Sequence, residues 1–138
     1  MQSEKTTLED AVTFSLTTYT YGPGAQVTSE SDFDFPSGTA LIRKTVNNYQ
    51  AFSATPLFPS AASIFDKPCQ TIVYDSSGTN RVAESDYFYD GSSSTTPCSA
   101  ATTQTLLGSG SYTGHDENHY GTAASAPRGN LTNSRRRE

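Results

Sequence analysis

Thr71-Ile72-Val73-Tyr74-Asp75-Ser76-Ser77-Gly78-Thr79-Asn80-Arg81-Val82-Ala83-Glu84-Ser85-Asp86-Tyr87-Phe88-Tyr89-Asp90 is the stretch that decides how this chain is read. Two runs rich in β-branched and aromatic residues, 71–74 and 82–89, enclose a cluster of Asp, Ser, Gly and Asn. The runs favour extended backbone and the small polar residues favour reversal, so the stretch predicts a β-hairpin. Side chains alternate across a strand, which places Tyr87 and Tyr89 on one face of the returning arm and Asp86, Phe88 and Asp90 on the other. The tyrosine face is expected to be covered and the acidic face wetted.

Upstream, a second copy reads Thr18-Tyr19-Thr20-Tyr21, then Gly22-Pro23-Gly24-Ala25, then Gln26-Val27-Thr28-Ser29. Pro23 fixes φ and the glycines accept positive φ, so the four middle residues turn the chain. Glu30-Ser31-Asp32-Phe33-Asp34-Phe35 matches Glu84-Ser85-Asp86-Tyr87-Phe88-Tyr89 identically at three of six positions and by a Phe–Tyr exchange at two more, 54 residues apart. Downstream, His119-Tyr120 and then Arg128-Gly129-Asn130-Leu131-Thr132 read as a third copy cut short. The expected fold is all-β, built of repeated antiparallel hairpins with long irregular loops. The repeat units fall at about 12–50, 69–98 and 119–134, with insertions at 50–68 and 91–114.

Between these copies the signals are simpler. Residues 1–12 are polar and predict either a short helix over Thr7–Val12 or a frayed end. Leu41–Tyr49 reads as a strand because Thr45, Val46, Asn47 and Asn48 in succession are poor helix formers. Pro36-Ser37-Gly38 ends the strand before it. Residues 50–68 carry Pro56, Pro59 and Pro68 among Ala, Ser and Phe, and Gly91–Gly114 is nearly all Ser, Thr, Gly and Ala, the compositions of loops.

Composition narrows the function. Only 33% of the 138 residues are hydrophobic and Trp is absent, so apolar area for a thick core is scarce and thin tyrosine-bearing sheets are favoured. Residues 1–127 hold 13 acids against 5 bases. That excludes nucleic acid as the expected partner, since phosphate binding needs clustered positive charge. Arg135-Arg136-Arg137 is expected to be a solvated end. No run approaches the roughly 20 apolar residues that span a bilayer, and the opening Met1-Gln2-Ser3-Glu4-Lys5 does not resemble a signal peptide.

Tyr74-Asp75-Ser76-Ser77-Gly78, followed by Arg81-Val82, resembles the tyrosine-aspartate (YD) repeat of RHS proteins: Tyr-Asp, two variable residues, Gly, then a polar residue and Leu or Val. In the first copy Tyr21 and Val27 keep the spacing, with Gly22 where Asp is expected and Ala25 where Gly is expected; in the third, Gly129-Asn130-Leu131 fits the closing half. The resemblance touches about half of the chain. It implies a β-ribbon that spirals into a hollow shell, as in bacterial RHS toxins, insecticidal toxin complexes and animal teneurins, where any enzymatic activity belongs to a separate C-terminal domain. The chain is therefore expected to be a non-catalytic scaffold segment of a longer secreted or cell-surface protein. Its partners would be adjoining repeats, an encapsulated C-terminal toxin domain, or carbohydrate. A hairpin with one aromatic face needs a neighbour to cover it, so stacking is expected on physical grounds as well.

Few residues suggest chemistry. Cys69 and Cys98 flank the hairpin, one just before it and one in the loop after it, and can meet because the hairpin folds the chain back; a disulfide, two buried thiols and a surface pair all remain open. His115-Asp116-Glu117-Asn118-His119 has the histidine spacing of a zinc-protease helix, but Asp116 stands where that chemistry needs Glu and Gly114 and Gly121 flank the segment, so no metal is expected. Asp32 with Asp34, and Asp86 with Asp90, read as solvated strand surface rather than catalytic pairs. No cofactor is expected. Tyr87 and Tyr89 are the candidate sugar-stacking residues of an alternative carbohydrate-binding or adhesive module; packing of Tyr19, Tyr21, Tyr74, Tyr87 and Tyr89 between sheets is the preferred reading.

Overall fold

The computed structural model describes residues 1–10, 12–35, 37–52, 64, 66–90, 96–99 and 129–138. Over these the protein is all-β. Seven strands, β1 (Gln2–Thr7), β2 (Phe14–Tyr21), β3 (Val27–Phe33), β4 (Leu41–Tyr49), β5 (Pro68–Tyr74), β6 (Arg81–Tyr89) and β7 (Leu131–Arg137), form one sheet. Each strand pairs antiparallel with the next in chain order. No described helix is long and apolar enough to cross a membrane.

Five of the six connections close in one way. An aromatic residue ends the outgoing strand, at Tyr21, Phe33, Tyr49, Tyr74 and Tyr89, and the register shifts by a bulge just before it. The next N–H, that of Gly22, Asp34, Gln50, Asp75 or Asp90, donates to the carbonyl of Gln26, Ala40, Lys67, Asn80 or Asn130 at 2.9 to 3.0 Å. A bulge adds twist and re-aims the side chain beside it, here carrying the aromatic ring to the sheet's rim. The closure is the same whether few residues intervene or many.

Burial is concentrated at the β5–β6 side. Cys69, Ile72, Phe88 and Tyr89 are buried there together with Phe52, whose ring meets Tyr89 edge to face at 6.1 Å. No side chain of β1, β2, β3 or β4 falls in the buried class, and Ile42 is 55% exposed.

Three expectations are corrected. The polar segment predicted as helix or frayed end is β1 and a turn, in which Asp10 accepts hydrogen bonds from the Val12 and Thr13 amides and the Thr13 hydroxyl. The covered face of β6 carries Glu84, Asp86 and Phe88, not the tyrosine face. The third copy is no hairpin of its own: Leu131 pairs with Tyr89, so Gly129-Asn130-Leu131 closes the turn that Tyr89-Asp90 opens. His119 and Tyr120, and the whole His115–His119 segment, lie outside the described residues.

The repeated element is accordingly three strands, β2–β4 and then β5–β7. Three is odd, and strands in a meander alternate in direction, so the tips at Tyr21 and Tyr74 lie at opposite ends of the sheet. The faces exchange as well. Arg43 and Thr45 share a face, which the register carries through Val73 to Ala83, whereas Asp86 points to the other side.

Candidate functional site

The two matching Glu-Ser-Asp segments put Asp32 on β3 and Asp86 on β6, and the register sets each opposite an arginine of the following strand, Arg43 and Arg135. The contacts agree atom by atom. Oδ2 of Asp32 accepts from Nε and Nη2 of Arg43 at 3.2 and 2.8 Å, and Oδ2 of Asp86 accepts from the same atoms of Arg135 at 3.1 and 2.6 Å. Oδ1 accepts from the preceding strand, from the Thr17 hydroxyl at 3.1 Å and from the Gln70 amide at 3.2 Å. Each carboxylate thus ties three strands together in register.

The two latches differ in environment. The Asp32 side chain is 25% exposed and Arg43 is 56% exposed, so water screens that pair. Asp86 has no exposed surface. Its burial alone would raise the carboxyl pKa, but hydrogen bonds from Arg135 and then Gln70, together with the Arg135 charge, hold it below the ordinary value. Around it, Gln70 also donates to Glu84 at 3.0 Å and accepts from Asn48 at 2.9 Å, and Glu84 pairs with Arg81. The Arg135 guanidinium lies 5.6 Å from the Phe88 ring centre, covering its face.

The acids at the strand ends act on backbone. Asp34 Oδ1 accepts the Ala40 amide at 3.1 Å, and Asp90 Oδ1 accepts the Asn130 amide at the same distance, with Gly129 donating to Oδ2 at 2.7 Å. Asp75 accepts from the Ser77 amide and hydroxyl and from Asn80, and those bonds lower its pKa. Positive φ recurs in these turns, at Ala25 (59°), Gly38 (64°), Gly78 (71°) and Gly129 (71°). At Gly38 a Cβ would also come within 2.5 Å of the Phe14 ring.

Other sequence-derived residues fall as follows. Cys69 and Cys98 form a disulfide, with Cα atoms 5.0 Å apart. Tyr21 and Tyr74 occupy equivalent turn positions, opposite Val27 and Arg81; Val82 is 47% exposed and does not close the turn. Tyr89 is 5% exposed and donates its hydroxyl to the Pro68 carbonyl at 2.8 Å, so it has no face to offer a sugar; Tyr87 is half-buried. Asp86 and Asp90 are buried rather than solvated, because one is matched by an arginine and the other by turn amides. Arg135, read as part of a solvated end, is the partner that makes burial of Asp86 tolerable.

Sequence reasoning missed the latches. The signal was present: each Glu-Ser-Asp is followed, one strand on, by an arginine, but finding it required the register across the 90–130 connection. A crevice of about 300 Å³ also lies at one end of the sheet, between Pro23 and Gln26 of the β2–β3 turn and Tyr49, Gln50, Phe52 and Ile64. Gln26 Oε1 is sealed from solvent there without a hydrogen-bond partner. Among the described residues no group of three or more His, Cys, Asp or Glu is arranged to hold a metal ion. In comparisons with family models, curated proteins and solved structures, the chain matches none.

Proposed function

We propose that this chain is a non-catalytic structural segment of an RHS/YD-repeat protein, contributing strands to a β-shell of a secreted or cell-surface, toxin-associated protein. The observation that carries the reading is the duplicated three-strand unit, with its aromatic-Asp turns and its Asp–Arg latch in the same register both times. A unit that recurs within one continuous sheet is suited to extension, because each copy completes the pairing of its neighbour. The outer edges of β1 and β7 pair with no described strand, and the β1–β4 half buries few side chains, so both invite adjoining repeats. The disulfide supports an oxidising compartment. Reading the coding DNA on both sides tests this. Further aromatic-Asp turns with Arg-bearing strands are expected; stop codons on both sides, with cooperative folding of a monomer, would sink it.

A carbohydrate-binding module is the second reading, favoured by the crevice rather than by Tyr87 and Tyr89. Its volume is at the small end for ligand sites, Tyr49 and Phe52 supply aromatic surface, and the terminal torsion of Gln26 is soft enough to turn its amide toward a sugar hydroxyl. Monosaccharide titration followed by NMR shifts of the Gln26 side-chain amide separates the readings. Saturable shifts that vanish in Tyr49→Ala favour the module, and none up to solubility removes it.

A further inference from the structure

We propose that Asn130 is an N-glycosylation site, its side-chain amide taking a sugar while the chain passes through a secretory compartment. This rests on the secreted part of the reading above and is independent of the shell.

Asparagine stands at six positions, 47, 48, 80, 118, 130 and 133. Asn130 alone has Ser or Thr two places on, in Asn130-Leu131-Thr132, with no proline between. That spacing is the acceptor pattern for N-linked transfer, because the transferase reads the hydroxyl together with the amide. An acceptor must also carry a bulky polar group once the chain has folded, which confines it to the surface. Asn130 meets this condition: it is exposed at the rim, just after Gly129 with its positive φ and just before β7.

The turn itself has no need of asparagine. Asn130 is held by its backbone, its N–H donating to Asp90 Oδ1 at 3.1 Å and its carbonyl accepting from the Asp90 amide at 2.9 Å. In the first unit Ala40 fills the equivalent place, with its N–H on Asp34 Oδ1 at 3.1 Å and its carbonyl accepting from the Asp34 amide at 2.9 Å. Alanine serves the turn as well, so the Asn130 side chain is left for another task. The Cys69–Cys98 disulfide fits the same compartment, since such bonds close in the oxidising lumen of the secretory pathway.

In the transfer, Asn130 Nδ2 attacks the anomeric carbon of an oligosaccharide carried on a lipid diphosphate. The new C–N bond replaces the C–O bond to the diphosphate, the lipid diphosphate leaves, and the amide gives up one proton. In the folded protein the Thr132 hydroxyl donates to the Phe88 carbonyl at 2.9 Å and Leu131 is paired with Tyr89. Transfer therefore precedes docking of β7 on β6.

The full chain, carried into the secretory pathway of eukaryotic cells by a cleavable leader, tests this by intact mass before and after peptide N-glycosidase. A glycan mass that the glycosidase removes, leaving aspartate at position 130, is the expected result. It should be lost in Asn130→Gln and Thr132→Ala and kept in Thr132→Ser, which retains the hydroxyl. Because transfer precedes folding, chains held back in the cell are scored from the lysate in the same way. Secreted protein with Cys69–Cys98 closed and Asn130 bare overturns the proposal and leaves the secreted reading standing. A bare Asn130 together with free thiols overturns both.

Discussion

Residues 32 and 86 carry the same carboxylate in the same pattern of bonds, and they differ in what truncation should cost. Asp86→Ala removes the carboxylate that Arg135 and Gln70 both bind in a buried setting, and should lower unfolding free energy by about 3 kcal/mol. Asp32→Ala removes a screened pair and should cost less than about 1 kcal/mol. Urea denaturation of the two variants checks the contrast. Asp86 also sets a pH dependence. Its carboxyl titrates lower in the folded protein than in the unfolded chain, so as pH falls the unfolded chain takes up the proton first. The stabilisation is complete above the ordinary carboxylate value of 3.8 and is lost as pH falls through the lower folded value. Asp86→Asn should therefore flatten stability against pH in that acid range, measured by denaturation at a series of pH values. Alternation along 84–90 told which of these side chains share a face. It could not tell which face is covered, since that depends on whether an arginine waits on the next strand.

Among the elements, β2 to β6 were legible because β-branched and aromatic residues fill them between turn residues of fixed preference. β1 and β7 were not. Gln2–Thr7 and Leu131–Arg137 hold few good strand formers, and their extended state comes from pairing with one neighbour rather than from local propensity. Turn chemistry was readable at Gly78 and only partly at Ala25, where the expected glycine is missing while the positive φ is kept. Two substitutions exploit this. Ala25→Gly should stabilise by about 0.5 to 1 kcal/mol by removing left-handed strain. Gly38→Ala, strained in φ and pressed on the Phe14 ring, should destabilise by about 2 kcal/mol. Thermal midpoints should move in opposite directions; a shared direction would mean that the turns relax freely.

For the molecule as a whole, stability should be graded across the sheet. Amide hydrogen exchange should be slowest in β5 and β6, where Cys69, Ile72, Phe88 and Tyr89 are buried, and fastest in β1, whose residues are all exposed. The Cys69–Cys98 bridge ties the chain beyond β6 back to the start of β5. Reduction should cost about 3 kcal/mol in the chain-entropy treatment of a loop of this size, read as a drop in thermal midpoint on adding reductant. Untreated protein should show no reactive thiol, since both cysteines are bonded.

The odd strand count of the repeating unit has a geometrical outcome. Each unit is the previous one turned over about an axis running across the strands, so a longer ribbon would have no permanent front or back. The connection that has grown long in the second unit leaves from the opposite rim to its short counterpart in the first. Successive decorations of this kind would therefore project alternately above and below the band, like rungs extended first on one side of a ladder and then on the other.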